Sequence, residues 1–159
     1  MKIAIIPTTG GADPYRGMEV ARELNVEGVH IGAYGGGLDL LSKSTAERKE
    51  TVRRIREYGL EISALIAWGG EVDLGEEERL TEHIAWGKRI SETAADVSGG
   101  LWMAHVGVMP EDRTSARWAQ FRDALAEIAA HGESIGATLA METGPEPARR
   151  PGPPAAPGA

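Results

Sequence analysis

A parallel α/β fold is what this 159-residue sequence predicts, and three observations predict it. Five short apolar runs alternate with longer stretches whose apolar residues recur at three-and-four spacing. The gaps between runs are long enough for helices, so consecutive runs pair in parallel through right-handed crossovers and not as hairpins. The runs are apolar almost throughout, which implies that both faces of the sheet are covered.

The first strand is expected over residues 3–6. Asp13 then offers a capping carboxylate with Pro14 at the first helical position, and Met18, Ala21 and Leu24 share one helical face. A second strand is expected over 28–31. Ser44 and Glu47 form a capping box, Val52 and Ile55 line one side of the helix it opens, and Gly59 stands where a left-handed C-terminal cap is wanted. The third strand covers 62–66. A third helix carries Leu80, Ile84, Gly87, Ile90 and Ala94, with the acidic run Glu76-Glu77-Glu78 as its first turn, complementing the helix dipole. The fourth strand covers 101–106. Trp118, Phe121, Leu125 and Ile128 mark a fourth helix before His131-Gly132, and a fifth strand follows at 137–141. These repeated units fit either an open doubly wound sheet or a (β/α)8 barrel.

Composition narrows the function classes. The chain is 42% hydrophobic and 26% charged, with a net charge of -7, as expected of one globular domain. No run approaches the roughly 18–20 apolar residues of a membrane span, and the N-terminus lacks the pattern of a secretory signal, so a cytoplasmic, non-membrane protein is expected. The absence of Cys excludes disulfides, thiolate metal sites and a Cys nucleophile, so any metal must be held by carboxylate and imidazole. With 24 acidic against 17 basic residues there is no electrostatic footprint for nucleic acid. The segment from Thr8 to Pro14 has two adjacent glycines but neither GxGxxG nor a Walker lysine, which argues against nucleotide binding. Six of the nine prolines lie in residues 145–159. Residues 148–159 have no apolar periodicity and are expected to be a disordered Pro/Ala/Gly tail after a folded unit at 1–147.

In parallel α/β proteins the C-terminal strand ends face the site, and here they carry His30, Trp68, His105 and Glu142. His30 opens into a glycine-rich loop that permits close ligand approach, although a hydrogen-bonded core histidine is an equal reading. Trp68 directly follows the third strand, where its face can stack on a sugar ring or cover the core. Trp86, Trp102 and Trp118 read as core residues. His105 ends the fourth strand beside a Gly/Pro turn. Glu142 ends a buried strand in a carboxylate, which is costly unless it meets a cation, a proton or hydrogen-bond donors. Glu146, beyond Gly144-Pro145, can turn back toward the same pocket or stay in solvent.

These residues carry a resemblance. The start Lys2-Ile3-Ala4-Ile5, the unit from Leu24 to Ile31, the stretch from Tyr58 to Leu65, the His105 strand and above all Met141-Glu142-Thr143-Gly144-Pro145-Glu146-Pro147 resemble the sugar phosphate isomerase/epimerase group of xylose-isomerase-like TIM barrels. The resemblance covers residues 1 to about 147 and implies the N-terminal portion of a (β/α)8 barrel with about five parallel strands and four helices. It implies a divalent cation (Mn, Mg, Co or Zn), with Glu142 as first metal ligand and catalytic carboxylate. By the same likeness His105 is a catalytic, metal-proximal histidine, while His30, Trp68 and Glu146 bind substrate. A hard cation polarises a carbonyl and its neighbouring hydroxyl, and carboxylates move a proton through an enediolate.

The family's further ligands come from strands six to eight, which this sequence lacks. The expected function is therefore a sugar or polyol isomerase/epimerase whose activity as this chain needs self-association, with a homo-oligomer as the means. The alternative is a non-catalytic truncated barrel, with metal binding weak or absent. A metal-dependent phosphodiesterase of the abasic-site endonuclease type shares the strand-end His and Glu, but the acidic charge argues against it.

Overall fold

A computed structural model describes residues 2–7, 13–67 and 72–142 of the chain. The elements are β1 (Ala4–Ile5), α1 (Pro14–Glu23), β2 (Gly28–Gly32), α2 (Thr45–Glu57), β3 (Glu61–Ala67), α3 (Leu80–Val97), β4 (Leu101–Ala104), α4 (Ala116–Ile135) and β5 (Thr138–Met141). All four strand pairings are parallel and the spatial order is β1-β2-β3-β4-β5. That order decides between the two architectures. A doubly wound sheet reverses direction at a switch point, whereas this one advances by a single strand at every crossover, as a barrel wall does.

The expected helix starts form through the expected groups. Asp13 Oδ1 accepts from the Tyr15 N–H at 2.9 Å, with Pro14 at the first helical position. The Ser44 hydroxyl accepts from the Glu47 N–H at 3.4 Å, and Glu47 Oε2 accepts from the Ser44 N–H at 2.8 Å, closing the capping box. The Ser44 hydroxyl and N–H hold the Glu47 carboxyl below the usual carboxylate range. The strand ends shift by one or two residues from the sequence reading, β4 stopping at Ala104, one residue before His105, and two helix boundaries differ. The acidic run is not the first turn of the third helix: a 3-10 turn over Glu77–Arg79 precedes α3. The fourth helix continues beyond His131-Gly132 to Ile135, where Gly136 at φ 74° caps it. Gly132 is there for close packing, since a Cβ on it would lie 2.6 Å from the Ala137 carbonyl oxygen.

Alternation along the strands sorts the core. Val29, Ile31, Leu65, Trp102 and Ala104 point toward the helices and are buried with Met18 of α1, Ile55 of α2, Ile90 of α3 and Phe121 and Ile128 of α4. Parallel register then stacks the opposite, concave face in layers. His30 aligns with Ala64, which neighbours the level of Leu101 and Thr138; Gly32, Ile66, Met103 and Ala140 form the next layer. An irregularity between Val29 and His30 sets this register, and the skipped residue, Ser63, donates its hydroxyl to the Val29 carbonyl at 3.1 Å. Covering of both sheet faces, expected from the apolar runs, fails on the concave side of β4 and β5, where Leu101 is 39% exposed. Helices cover one face only, and the apolar character of these strands reflects a surface that a closed barrel fills by layers of inward side chains.

Candidate functional site

His105 and Glu142 occupy the layer above Met103 and Ala140, at the C-terminal rim of the concave face. The β4–β5 ladder brings them together: Ala104 pairs with Met141, and the Glu142 N–H continues the ladder by donating to the Ala104 carbonyl at 3.0 Å. His105 Nδ1 lies 3.0 Å from the Glu142 carbonyl oxygen. A carbonyl only accepts, so Nδ1 carries a proton, and in the neutral tautomer this selects, Nε2 is the acceptor. That Nε2 stands 3.8 Å from Glu142 Oε2. An imidazole nitrogen and a carboxylate oxygen therefore face each other across a gap suited to a proton or a cation, and with side-chain exposures of 44% and 52% both are open to ligands.

Two loops wall this rim. Gly107, just past His105, has φ +91°, and a Cβ there would lie 2.1 Å from Asp73 Oδ1, so only glycine lets the β3–α3 loop seat against the β4–α4 loop. The Leu74 N–H donates to the Val106 carbonyl at 3.0 Å, and Asp73 Oδ1 accepts from the Gly75 N–H at 2.8 Å. Farther along, Asp112 accepts from the Thr114 hydroxyl at 2.7 Å and the Thr114 N–H at 2.8 Å, bonds that hold its carboxyl below the usual range.

Of the other expected site residues, His30 lies on the concave face two layers below His105 and Glu142, about 13 Å along the strand direction at a rise of ~3.3 Å per residue. It is half-buried, and its side chain makes no hydrogen bond among the described residues. Trp68 and Glu146 lie outside the described residues, as does the tail at 148–159. Trp102 is fully buried, as expected of a core residue. At the tops of β1 and β2 a cavity of about 230 Å³ is lined by Pro7, Pro14, Ile31, Tyr34 and Gly36, with Gly35, Gly36 and Gly37 at φ of 64°, 59° and 80°.

The sequence reading missed the pair Glu76–His83. His83 is fully buried in α3, and its Nε2 lies 3.0 Å from Glu76 Oε2 on the β3–α3 loop. The signal was present: residue 83 falls on the same stripe as Gly87, Ile90 and Ala94, and a histidine on an apolar stripe needs a polar partner nearby.

Glu142 and His105 supply a carboxylate and an imidazole, donor types that suit a divalent cation. They fit one side of a coordination sphere. Among the described residues no group of three His, Asp or Glu side chains is gathered tightly enough to hold a metal.

A singly wound parallel sheet with helices on its outer face and a histidine and glutamate paired at the C-terminal strand ends defines the β1–β5 portion of a TIM-barrel protein. The comparisons give the family: the xylose isomerase-like TIM barrel model matches residues 18–154, and the chain belongs to that family. No curated protein matches it. Among solved structures, the xylose isomerase domain protein from Planctomyces limnophilus superposes with a TM-score of 0.72 at 20% identity, over 89% of this chain and 54% of that one. D-psicose 3-epimerase, crystallised in the presence of D-fructose, gives 0.66 at 16% identity, over 87% and 51%. The 3-keto-D-glucoside 4-epimerase of E. coli gives 0.64 at 17% identity, over 89% and 56%. These likenesses establish the fold, and the chain spans about half the length of those structures. Among the described residues no helix is long and apolar enough to cross a membrane.

Proposed function

We propose that the chain contributes to a divalent-metal sugar isomerase or epimerase, with His105 and Glu142 as its acid–base and metal-binding groups. The observation that carries this reading is the pair itself: imidazole Nε2 and carboxylate Oε2, 3.8 Å apart at the C-terminal rim of a barrel wall. A bound divalent cation there would polarise a substrate carbonyl and its adjacent hydroxyl, acidifying the intervening C–H. Glu142 would hold the cation through one carboxylate oxygen, leaving the other to accept or return a proton. His105, fixed in its tautomer by the Glu142 backbone carbonyl, would orient its free Nε2 toward the same point. Met103 and Ala140 form an apolar floor beneath, suited to the C–H face of a small sugar or polyol, the substrate class that this reading assigns.

Proton exchange is the partial reaction that needs least of the barrel. Purified chain incubated in D₂O with ketoses and Mn²⁺, Mg²⁺, Co²⁺ or Zn²⁺ is expected to label the carbon next to the carbonyl, and Glu142→Gln to slow labelling by ~10²-fold or more. Labelling that no metal supports, or that Glu142→Gln leaves unchanged, overturns the reading.

A further inference from the structure

His83 is the one titratable side chain that is fully buried among the described residues, and the proposed chemistry does not use it. An apolar residue there would continue the stripe of Gly87, Ile90 and Ala94 without the desolvation cost that ring nitrogens bring. What the imidazole adds is a polar hold on the β3–α3 loop, since its Nε2 lies 3.0 Å from Glu76 Oε2. Glu76 closes a four-residue turn with Asp73, its N–H donating to the Asp73 carbonyl at 3.2 Å. Inside that turn Asp73 Oδ1 accepts from the Gly75 N–H at 2.8 Å, so Asp73 and Glu76 belong to one rigid piece. Val72 and Leu74, on either side of Asp73, are buried and anchor it in the core.

The other end of the turn meets the residues that follow His105. β4 stops at Ala104, and among the described residues the bond from the Leu74 N–H to the Val106 carbonyl, 3.0 Å long, is the backbone hydrogen bond that ties the next stretch to this loop. Gly107 completes the contact by passing so close to Asp73 Oδ1 that no Cβ fits between them. We infer that His83 and Glu76 are positioning residues for His105: their pair holds the turn to α3, and the turn, through Val106 and Gly107, fixes where the chain carries the imidazole. The β4–β5 ladder and the Glu142 carbonyl hold His105 from the β5 side, and this loop holds it from the β3 side. Close-packed and hydrogen-bonded groups transmit displacement, so a change at either end of the chain of contacts must be felt at the other. That the positioned imidazole is catalytic rests on the proposed function, whereas its positioning by the loop does not.

Ring nitrogen-15 and amide-exchange NMR on the metal-free full chain tests this with three variants. The Glu76 side chain is 46% exposed, so Glu76→Ala and Glu76→Gln leave the core intact, which circular dichroism verifies. Glu76→Ala is expected to speed exchange of the Leu74 N–H by ~10-fold or more and to shift the His105 ring resonances. Glu76→Gln keeps an oxygen acceptor near His83 and is expected to stay close to wild type in both. In neither variant should the Val29 and Ile31 amides of β2 exchange faster, which separates a loop effect from a general loss of stability. Gly107→Ala acts from the opposite end and is expected to shift the His83 ring resonances, because coupling is reciprocal. A His105 ring unmoved by Glu76→Ala, a Gln variant as damaging as the Ala variant, or a His83 ring unmoved by Gly107→Ala overturns the inference. Zn²⁺ is added afterwards: Glu76→Ala is expected to weaken its effect on His105 by ~10-fold. A wild-type His105 that ignores Zn²⁺ would fail the functional proposal and leave the metal-free coupling standing.

Discussion

Trp102→Ala is expected to lower the unfolding free energy by about 3–5 kcal/mol, a large share of the roughly 5–15 kcal/mol that domains possess. Trp102 sits on the helix-facing side of β4 with no exposed surface, between Leu65 of β3 and Leu139 of β5 in register and beneath the helices. Its truncation leaves a void among residues held by three strands, which cannot collapse without breaking the ladder. Trp102 Nε1 is also buried without a hydrogen-bond partner. Trp102→Phe removes that unsatisfied donor while keeping much of the ring volume, so its cost is expected to be about 1–2 kcal/mol. Urea denaturation followed by circular dichroism measures both, and an unchanged slope identifies the shift in midpoint as lost stability. A Phe variant as damaged as the Ala variant would contradict the assignment of the cost to volume.

Gly17→Ala is expected to destabilise by roughly 2–4 kcal/mol, against the helix-propensity gain of ~1 kcal/mol that alanine brings to a helix interior. A Cβ at residue 17 would lie 1.8 Å from the Pro7 carbonyl oxygen and 2.5 Å from its carbon. The obstacle is backbone, so no side chain can swing aside. Helix α1 would have to retreat from the end of β1, drawing Met18 and Ala21 out of the core they now fill. The same denaturation experiment measures the loss, and a stabilised variant would show that α1 does not approach β1 this closely.

The elements were legible where local chemistry and periodicity agreed. Asp13-Pro14, Ser44 with Glu47, and the apolar stripes of α2 and α4 carry their structural reasons in adjacent residues, and each forms as expected. The choice between an open doubly wound sheet and a barrel was not legible, because strand order is a property of crossovers and not of the strands themselves. Nor was Gly17 readable as a contact residue: its partner, Pro7, is ten positions away in the sequence. At the candidate site, strand-end position pointed to His105 and Glu142, and their shared face follows from the one-step alignment of β4 with β5. What the sequence could not supply was the tautomer of His105, which depends on the Glu142 backbone carbonyl, or the layer of His30, which depends on the irregularity at Ser63.

Nitrogen-15 NMR of the histidine rings tests the site most directly. His105 is expected to carry its proton on Nδ1 in the neutral ring, with Nε2 unprotonated, and Zn²⁺ is expected to shift Nε2 while the Nδ1 proton persists. Glu142→Gln should weaken that response by ~10-fold or more. A ring protonated on Nε2, or a His105 signal unmoved by Zn²⁺, would contradict the placement of the metal and acid–base centre at His105 and Glu142.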